Sequence, residues 1–306
     1  MTWNFETQLA RYGPEGTRPT PSRAEAWQYC KWLATTHYEN FTVASLLLPG
    51  RLLRHFHAVY AYCRWADDLG DETGGGERAL RLLAWWREQL ETCYAGKATH
   101  PVFVALRDTI RQFGIPRQPF LDLITAFEQD QRVGVYRTYD ELVNYCRYSA
   151  NPVGRLVLYL FESHDEQRGQ LADHICTALQ LANFWQDVAR DVDIQRIYLP
   201  AEDRERFGYA EQDLRMKRFT PTFARLMQFE VNRTRDLFFQ GYRLVDEVPR
   251  EVSADVELFI EGGLGILRKI EEAGFNVLDR RPVLSKWEKG RLLAGAMWRR
   301  LRQSVA

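Results

Sequence analysis

Neither sign of charge is in excess in this 306-residue chain: 41 Lys+Arg balance 41 Asp+Glu to a formal net charge of zero. That balance removes the simplest electrostatic case for a nucleic-acid binder, which carries a basic surplus to meet phosphates. Cysteine is scarce. The five residues Cys30, Cys63, Cys93, Cys146 and Cys176 are odd in number, widely spread and without a CxxC pair. They read as reduced core residues of a cytoplasmic protein, and they disfavour a disulfide framework or a structural zinc site. Long apolar runs are missing as well. The longest, such as residues 43–48, fall far short of the ~20 residues that span a bilayer. Glu6 and Arg11 interrupt the N-terminus where a signal peptide needs an apolar core. The expectation is a soluble cytoplasmic chain that at most rests at a membrane surface. Also absent are a fixed-period repeat, a low-complexity linker and a GxGxxG after a strand pattern, so nothing supports NADPH. No His/Cys set stands at ligand spacing, which disfavours zinc, copper and haem.

What is plentiful is apolar residue content, 45%, enough to bury a substantial core. Apolar positions recur at steps of three and four with few β-branched runs. Breakers punctuate them at Pro49-Gly50, Gly74-Gly75-Gly76, Gly114-Ile115-Pro116, Pro152, Pro200, Pro221 and Pro249. The rhythm predicts an all-α protein with helices over residues 23–36, 51–72, 77–94, 101–113, 117–131, 139–163, 167–191, 222–246, 252–277 and 284–303. Residues 14–22 hold three prolines and end in Ser22, an N-cap for the helix that follows, so residues 1–22 are expected to form a loosely packed arm. Thr138 and Glu141 form a capping box. Residues 23–306 are read as one helical domain, with a basic helix over 279–306.

That last segment stands apart. It carries eight basic residues against two acidic, a charge of +6, so residues 1–278 sum to −6. With Trp287 and Trp298 present, two readings stand: a basic amphipathic helix resting on anionic lipid, or a solvated outer helix with its aromatic residues packed inward.

Two polar stripes carry the chemistry. In Tyr60-Ala-Tyr-Cys-Arg64-Trp-Ala-Asp67-Asp68-Leu-Gly-Asp71-Glu72, helical steps of four and three bring Tyr60, Arg64, Asp67 and Asp71 to one face. Like charges at such spacing repel, so the face needs a cation or water; alone, it could be an acidic helix end before a glycine loop. In Gln180-Leu-Ala-Asn183-Phe-Trp-Gln-Asp187-Val-Ala-Arg-Asp191, the stripe Asn183, Asp187 and Asp191 is flanked by Leu181, Ala182, Phe184 and Trp185, which is out of place on a merely solvated face. Two such stripes facing one another across a bundle make a cage of hard oxygen ligands suited to magnesium and a diphosphate. Loss of that diphosphate leaves an allylic cation that aromatic faces must shield from water. Tyr60, Tyr145, Phe41 and Trp185 are candidates for that wall, although Phe41 and Trp185 fit ordinary core packing equally well. Arg64 and Arg196 would hold diphosphate oxygens and Tyr198 would bond them. A kink is expected where Pro152 removes the bond to Tyr148 and Gly154 lets backbones approach closely; it either lines a pocket or is a plain helix break.

Together these motifs resemble the squalene/phytoene synthase family, the head-to-head branch of the class I isoprenoid synthases, over residues 27–278. Asp67-Asp-Leu-Gly-Asp71 is similar to the family's first aspartate-rich motif, and Asp187-Val-Ala-Arg-Asp191 with Arg196-Ile-Tyr198-Leu-Pro to its second, about 120 residues on. Tyr145-Cys with Val153-Gly154 resembles the signature whose first tyrosine is catalytic in the family; Phe127-Glu-Gln-Asp130 and residues 263–278 are similar too. Glu39-Asn40-Phe41, Ser149-Ala-Asn151-Pro152-Val-Gly154 and Asn183-Phe-Trp-Gln186-Asp187 resemble the hydroxysqualene-forming bacterial branch of the hopanoid route.

The resemblance implies an all-α bundle with a central cavity and two or three Mg²⁺ held with diphosphate by Asp67, Asp71, Asp187 and Asp191. It implies catalytic roles for these four and for Tyr145 and Tyr60, and substrate contacts from Arg64, Asn183, Gln180, Arg196, Tyr198, Phe41 and Asn40. The reaction implied is ionisation of presqualene diphosphate, ring opening and capture by water, with the product passing to a downstream reductase. Gln186 stands where many members have arginine, and the usual N-terminal serines are missing, so one phosphate contact is in doubt. Squalene, presqualene diphosphate or phytoene synthesis would use the same aspartates. A catalytically inactive assembly-factor-like relative is the non-enzyme alternative, and the intact aspartates weigh against it.

Overall fold

The structure, a computed structural model, describes residues 3–36 and 48–305. Among these residues every regular element is an α-helix, apart from a single isolated parallel bridge between Val135 and Ile197. The helices fall into two compact units. One comprises the residues up to Arg132 together with Arg155–His164; the other comprises Val133–Gly154 and the residues from Asp165 onward.

The first unit contains α1 (Phe5–Tyr12), α2 (Arg23–Thr36), α3 (Gly50–Asp71), α4 (Gly76–Tyr94), α5 (Pro101–Phe113) and α6 (Gln118–Asp130). Local chemistry sets their ends. The Glu25 amide donates to Ser22 Oγ at 3.3 Å while the Glu25 carboxylate accepts from the Ser22 amide at 2.8 Å, a reciprocal cap on α2. Gly114, at φ 61°, closes α5 in the left-handed conformation with its N–H on the Ile110 carbonyl. The N-terminal segment departs from expectation. Asn4 caps α1, and Phe5 is buried edge-on against Trp65 at 5.2 Å, so apolar burial ties down what the prolines alone suggested was loose.

Helix α3 is the hub, packing on α2, α4, α5 and α6. Its Trp65 stacks on Trp86 of α4 at 5.4 Å and 8°, and its Tyr62 hydroxyl donates to the Phe120 carbonyl at 2.7 Å. Rings of this size dominate core energetics when packed edge and face, and a buried phenol needs such a partner. His100 sits among Tyr12, Trp65, Trp85, Trp86 and Phe103. Its Nδ1 accepts from the Val102 amide at 3.2 Å, capping α5.

The second unit contains α7 (Tyr139–Ser149), the first turn of α8 (Asn151–Leu160), α9 (Glu166–Asp193), α10 (Ala201–Arg206), α11 (Glu211–Arg215), α12 (Pro221–Gly241), α13 (Leu244–Glu247), α14 (Arg250–Glu272) and α15 (Lys286–Val305). The expected capping box at Thr138 is present. The single kinked helix expected over 139–163 is instead two helices. Ala150 leaves helical geometry at φ −120° and ψ −49°, and Pro152 falls in the first turn of α8, where its missing N–H costs nothing. The helix expected over 222–246 likewise divides after Gly241. Helix α9, 28 residues long, packs on α12, α14 and α7. Trp185 at its centre is fully buried and donates Nε1–H to Thr234 Oγ1 of α12 at 2.8 Å, which makes it a core residue.

Burial pushes the His100 imidazole down to about 3 and the His55 imidazole down to about 4, so both are neutral in the fold at ordinary pH. The unfolded chain binds these protons near 6.5, so stability is lost as pH falls from 6.5 toward 3. Urea midpoints of the wild type should therefore drop steeply between neutral pH and pH 4. In His100→Asn, which keeps a capping side chain but cannot titrate, part of that slope should vanish, by up to about 1.4 kcal/mol per pH unit.

Candidate active site

The first acidic motif occupies the last turns of α3. That helix is buried nearly all round, yet positions 60, 63, 64, 67 and 71 stay partly or fully open along one stripe. This is the face that the spacing placed Tyr60, Arg64, Asp67 and Asp71 on. Arg64 holds the stripe together: Nη1 lies 3.3 Å from Asp67 Oδ2, and Nη2 pairs with Asp68 Oδ1. Asp68 points the other way and is completely buried. Its burial pushes the carboxyl up to about 7 against the pull of Arg64, and its Oδ2 has no hydrogen-bond partner. Sequence spacing left Asp68 off the working face; what it does is fix the guanidinium beneath Asp67. Burial also raises the Tyr60 phenol, so it is a hydrogen donor.

The second motif occupies the last turns of α9. The stripe at positions 176, 180, 183, 187 and 191, which carries Gln180, Asn183, Asp187 and Asp191, is partly or fully open, with buried Leu181, Ala182, Phe184, Trp185, Gln186 and Val188 around it. The Asp187 carboxylate is gripped by a two-pronged guanidinium: Arg281 Nε lies 2.5 Å from Oδ1 and Nη2 lies 2.8 Å from Oδ2. The same Nη2 donates to Gln186 Oε1 at 3.0 Å, and the Gln186 amide donates back to the Pro282 carbonyl. Gln186, buried, thus orients the segment that delivers Arg281. The cation that the sequence reading missed beside the second motif is supplied from 94 residues away. Its only sequence signal is the run Arg280-Arg281-Pro282, which the charge of the tail conceals.

Asp191 differs from its neighbour. Burial first, and then the charge of Asp187, push its carboxyl up to about 7, and its Oδ2 is buried without a hydrogen-bond partner. A cation or a proton would relieve both conditions. The Arg196 amide donates to the Asp191 carbonyl at 2.8 Å, and Asp191, Arg196, Tyr198 and Phe184 line a small pocket. Tyr198 lies flat on Phe184 at 3.7 Å and 8°, with Tyr136 and Tyr145 beside it at 5.7 and 6.2 Å. These four rings form an aromatic wall next to the second motif. The Ile197 amide donates to the Gly134 carbonyl at 2.7 Å and the Ala201 amide to the Tyr136 carbonyl at 3.0 Å, which pins the loop that carries Arg196 and Tyr198.

Among the described residues no three His, Cys, Asp or Glu side chains gather as a ready-made metal cage. Any cation would rest on one or two carboxylates at a time, the mode magnesium uses when substrate phosphates complete its shell. The orphaned Oδ2 of Asp191 and the all-oxygen donor set suit such a hard cation. Asn40 and Phe41 lie outside the described residues.

The pattern of the squalene/phytoene synthases matches residues 34–288. This chain belongs to the squalene/phytoene synthase family. A family member, 15-cis-phytoene synthase of Synechocystis sp., is 33% identical over 90% of this chain and 85% of its own length. Hydroxysqualene synthase of Rhodopseudomonas palustris is 35% identical over 69% of this chain and 71% of its own. Among solved structures, squalene synthase HpnC from Alicyclobacillus acidocaldarius is 44% identical, covering 83% of this chain and 96% of that one, with a TM-score of 0.80. A dehydrosqualene synthase with bound ligand has the same TM-score at 26% identity, over 90% and 96% of the two chains. The fold is therefore the all-α class I isoprenoid synthase fold, and the chain is an enzyme of the class that processes prenyl diphosphates.

The α8–α9 contact beneath the second stripe has no slack. A Cβ on Gly154 would lie 2.5 Å from Cys176 Sγ and 3.4 Å from Ala172 Cβ, and Asn151 Oδ1 accepts from Thr177 Oγ1 at 2.9 Å beside it. Gly154→Ala should destabilise the protein by about 1–3 kcal/mol through overpacking, read as a fall in the urea midpoint. Adding Cys176→Ala should recover most of the loss; no recovery would mean that the close approach is not the cause.

Proposed function

We propose that this enzyme ionises presqualene diphosphate and captures the rearranged cation with water, releasing hydroxysqualene and diphosphate. The observation that carries this reading is the 35% identity with hydroxysqualene synthase. The 44% identity with squalene synthase HpnC, against 33% with the cyanobacterial phytoene synthase, supports the squalene side of the family over the phytoene side. In this reading the two open stripes work together. Asp67 and Asp71 from one helix and Asp187 and Asp191 from the other hold the metal-complexed diphosphate, and Asn183 and Gln180 add neutral oxygens. Magnesium, two or three ions when bound, takes up charge on the departing oxygens.

The chain's own residues do the rest. Arg64, Arg196 and Arg281 bind and orient the phosphates as bidentate donors. Arg281 exchanges part of its grip on Asp187 for the phosphate, which meets the doubt raised by Gln186. The C–O bond to diphosphate breaks with its electron pair, the cyclopropyl ring opens, and a water oxygen forms the new C–O bond. The oxonium proton passes to the released diphosphate. No hydride is added, so NADPH is not consumed. Tyr136, Tyr145, Phe184 and Tyr198 face the cation with π density and exclude stray water, with Tyr145 and Tyr60 positioned as phenol donors. The alcohol then passes to a reductase.

A second reading, condensation of two prenyl diphosphates as in phytoene synthase, is favoured by the 33% identity that extends over 90% of the chain. Product analysis with Mg²⁺ separates the two. Presqualene diphosphate without NADPH should give hydroxysqualene, and farnesyl or geranylgeranyl diphosphate should be poor substrates. Phytoene from geranylgeranyl diphosphate would replace the first reading with the second, and squalene formed only with NADPH would overturn water capture. Chelation should abolish turnover and Mg²⁺ restore it, and Asp187→Asn should lose on the order of 100-fold or more.

A further inference from the structure

Helix α15 has two chemically different faces. Inward, Ala296 is fully buried and Leu284, just ahead of the helix, packs within 3.1 Å of the Cβ position of Gly265. Glu288 pairs with Lys269 and Arg299 with Glu257, each at 2.6 Å, and the charge of Arg300 acts on the buried Asp255. Outward, Trp287, Arg291, Ala294 and Trp298 follow one another at steps of four, three and four along a single stripe. Trp287 is 87% exposed and Trp298 59%, with Met297 at 54% beside them. The reading in which these aromatic residues pack inward is thereby ruled out. Lys286 is exposed at the edge of this stripe, while Lys289, also exposed, lies on the far side of the helix. The acidic residue of the helix, Glu288, is turned onto Lys269, so this face carries cations and indoles and no carboxylate.

We propose that the outward face of α15 docks on an anionic lipid bilayer, the helix lying in the plane of the headgroups. Tryptophan favours the interfacial depth, where its apolar body and N–H are both satisfied, and lysine and arginine beside it meet lipid phosphates. No described helix is long and apolar enough to cross the membrane, so the contact is one of lying on, not spanning. A second copy of the chain is the poorer occupant. Two-fold pairing of this face would set Lys286 and Arg291 of one copy against the same cations of the other. The inference stands apart from the reaction proposed above.

The test is co-sedimentation of the full chain with phosphatidylcholine vesicles made with and without phosphatidylglycerol, followed also by tryptophan emission. Wild type should pellet with the anionic vesicles, release as salt is raised, and shift its emission to the blue when bound. Lys286→Glu with Arg291→Glu should lower partitioning on the order of 10-fold or more. Trp287→Ser with Trp298→Ser should remove the blue shift. Circular dichroism checks that each variant keeps its helices, as expected for exposed positions. Three outcomes would overturn the proposal: equal pelleting of wild type and charge variant, binding of an RNA oligonucleotide but not of vesicles, or a lipid-free dimer by light scattering that the double tryptophan variant dissociates.

Discussion

Carboxylates spaced three and four residues apart on a helix repel one another, and a helix that is otherwise buried cannot hide them. Two features of this protein follow from that constraint. Each acidic helix stays open along the stripe that carries the carboxylates, and each stripe is given a guanidinium. Arg64 serves the first, from within its own helix, and Arg281 serves the second, from the segment after α14. Burial pushes Asp68 toward its neutral form even against the pull of Arg64, and burial together with the charge of Asp187 does the same to Asp191. At Asp191 the buried oxygen left without a hydrogen-bond partner is one that a hard cation or a proton would satisfy.

The supply of Arg281 also explains a local oddity. Gln186 is a neutral residue at a position where a charge was expected, and by itself it suggested a weakened phosphate site. Buried between the Arg281 guanidinium and the Pro282 carbonyl, it instead acts as a two-ended clip, accepting from one and donating to the other. A charged side chain in its place would face Arg281 at hydrogen-bond distance. The neutral amide and the distant arginine are therefore two halves of one arrangement.

Much of the fold was legible because local chemistry sets helix ends. The Ser22 and Thr138 caps, Gly114 and the Pro49-Gly50 step all fall at the borders that the sequence indicates. The open stripes were legible for the same reason: position along a single helix is a matter of period. What was not legible depends on partners distant in sequence. Phe5 is held down by Trp65, Arg281 reaches Asp187, and Trp185 resolves into core packing through Thr234. Periodicity names the face of a helix but not what meets it. The break at Ala150 was displaced for a different reason, since proline is cheapest at the start of a helix and the chain moved its break upstream to place Pro152 there.

The same limit applied to the tail, where composition allowed two opposite orientations of its aromatic residues. Ion pairing decides between them. Glu257, Asp255 and Lys269 on α14 present charged groups to the last helix, and these select Arg299, Arg300 and Glu288 as its inward polar partners. Once these positions face inward, helical geometry turns Trp287, Arg291 and Trp298 outward, because they lie on the opposite side of the 3.6-residue turn. The formal neutrality of the chain is therefore built from opposed parts that only partly cancel. Arg281 and Arg299 neutralise carboxylates of the −6 body, and Arg300 faces Asp255, while Lys286, Lys289 and Arg291 of the +6 segment stay exposed on α15.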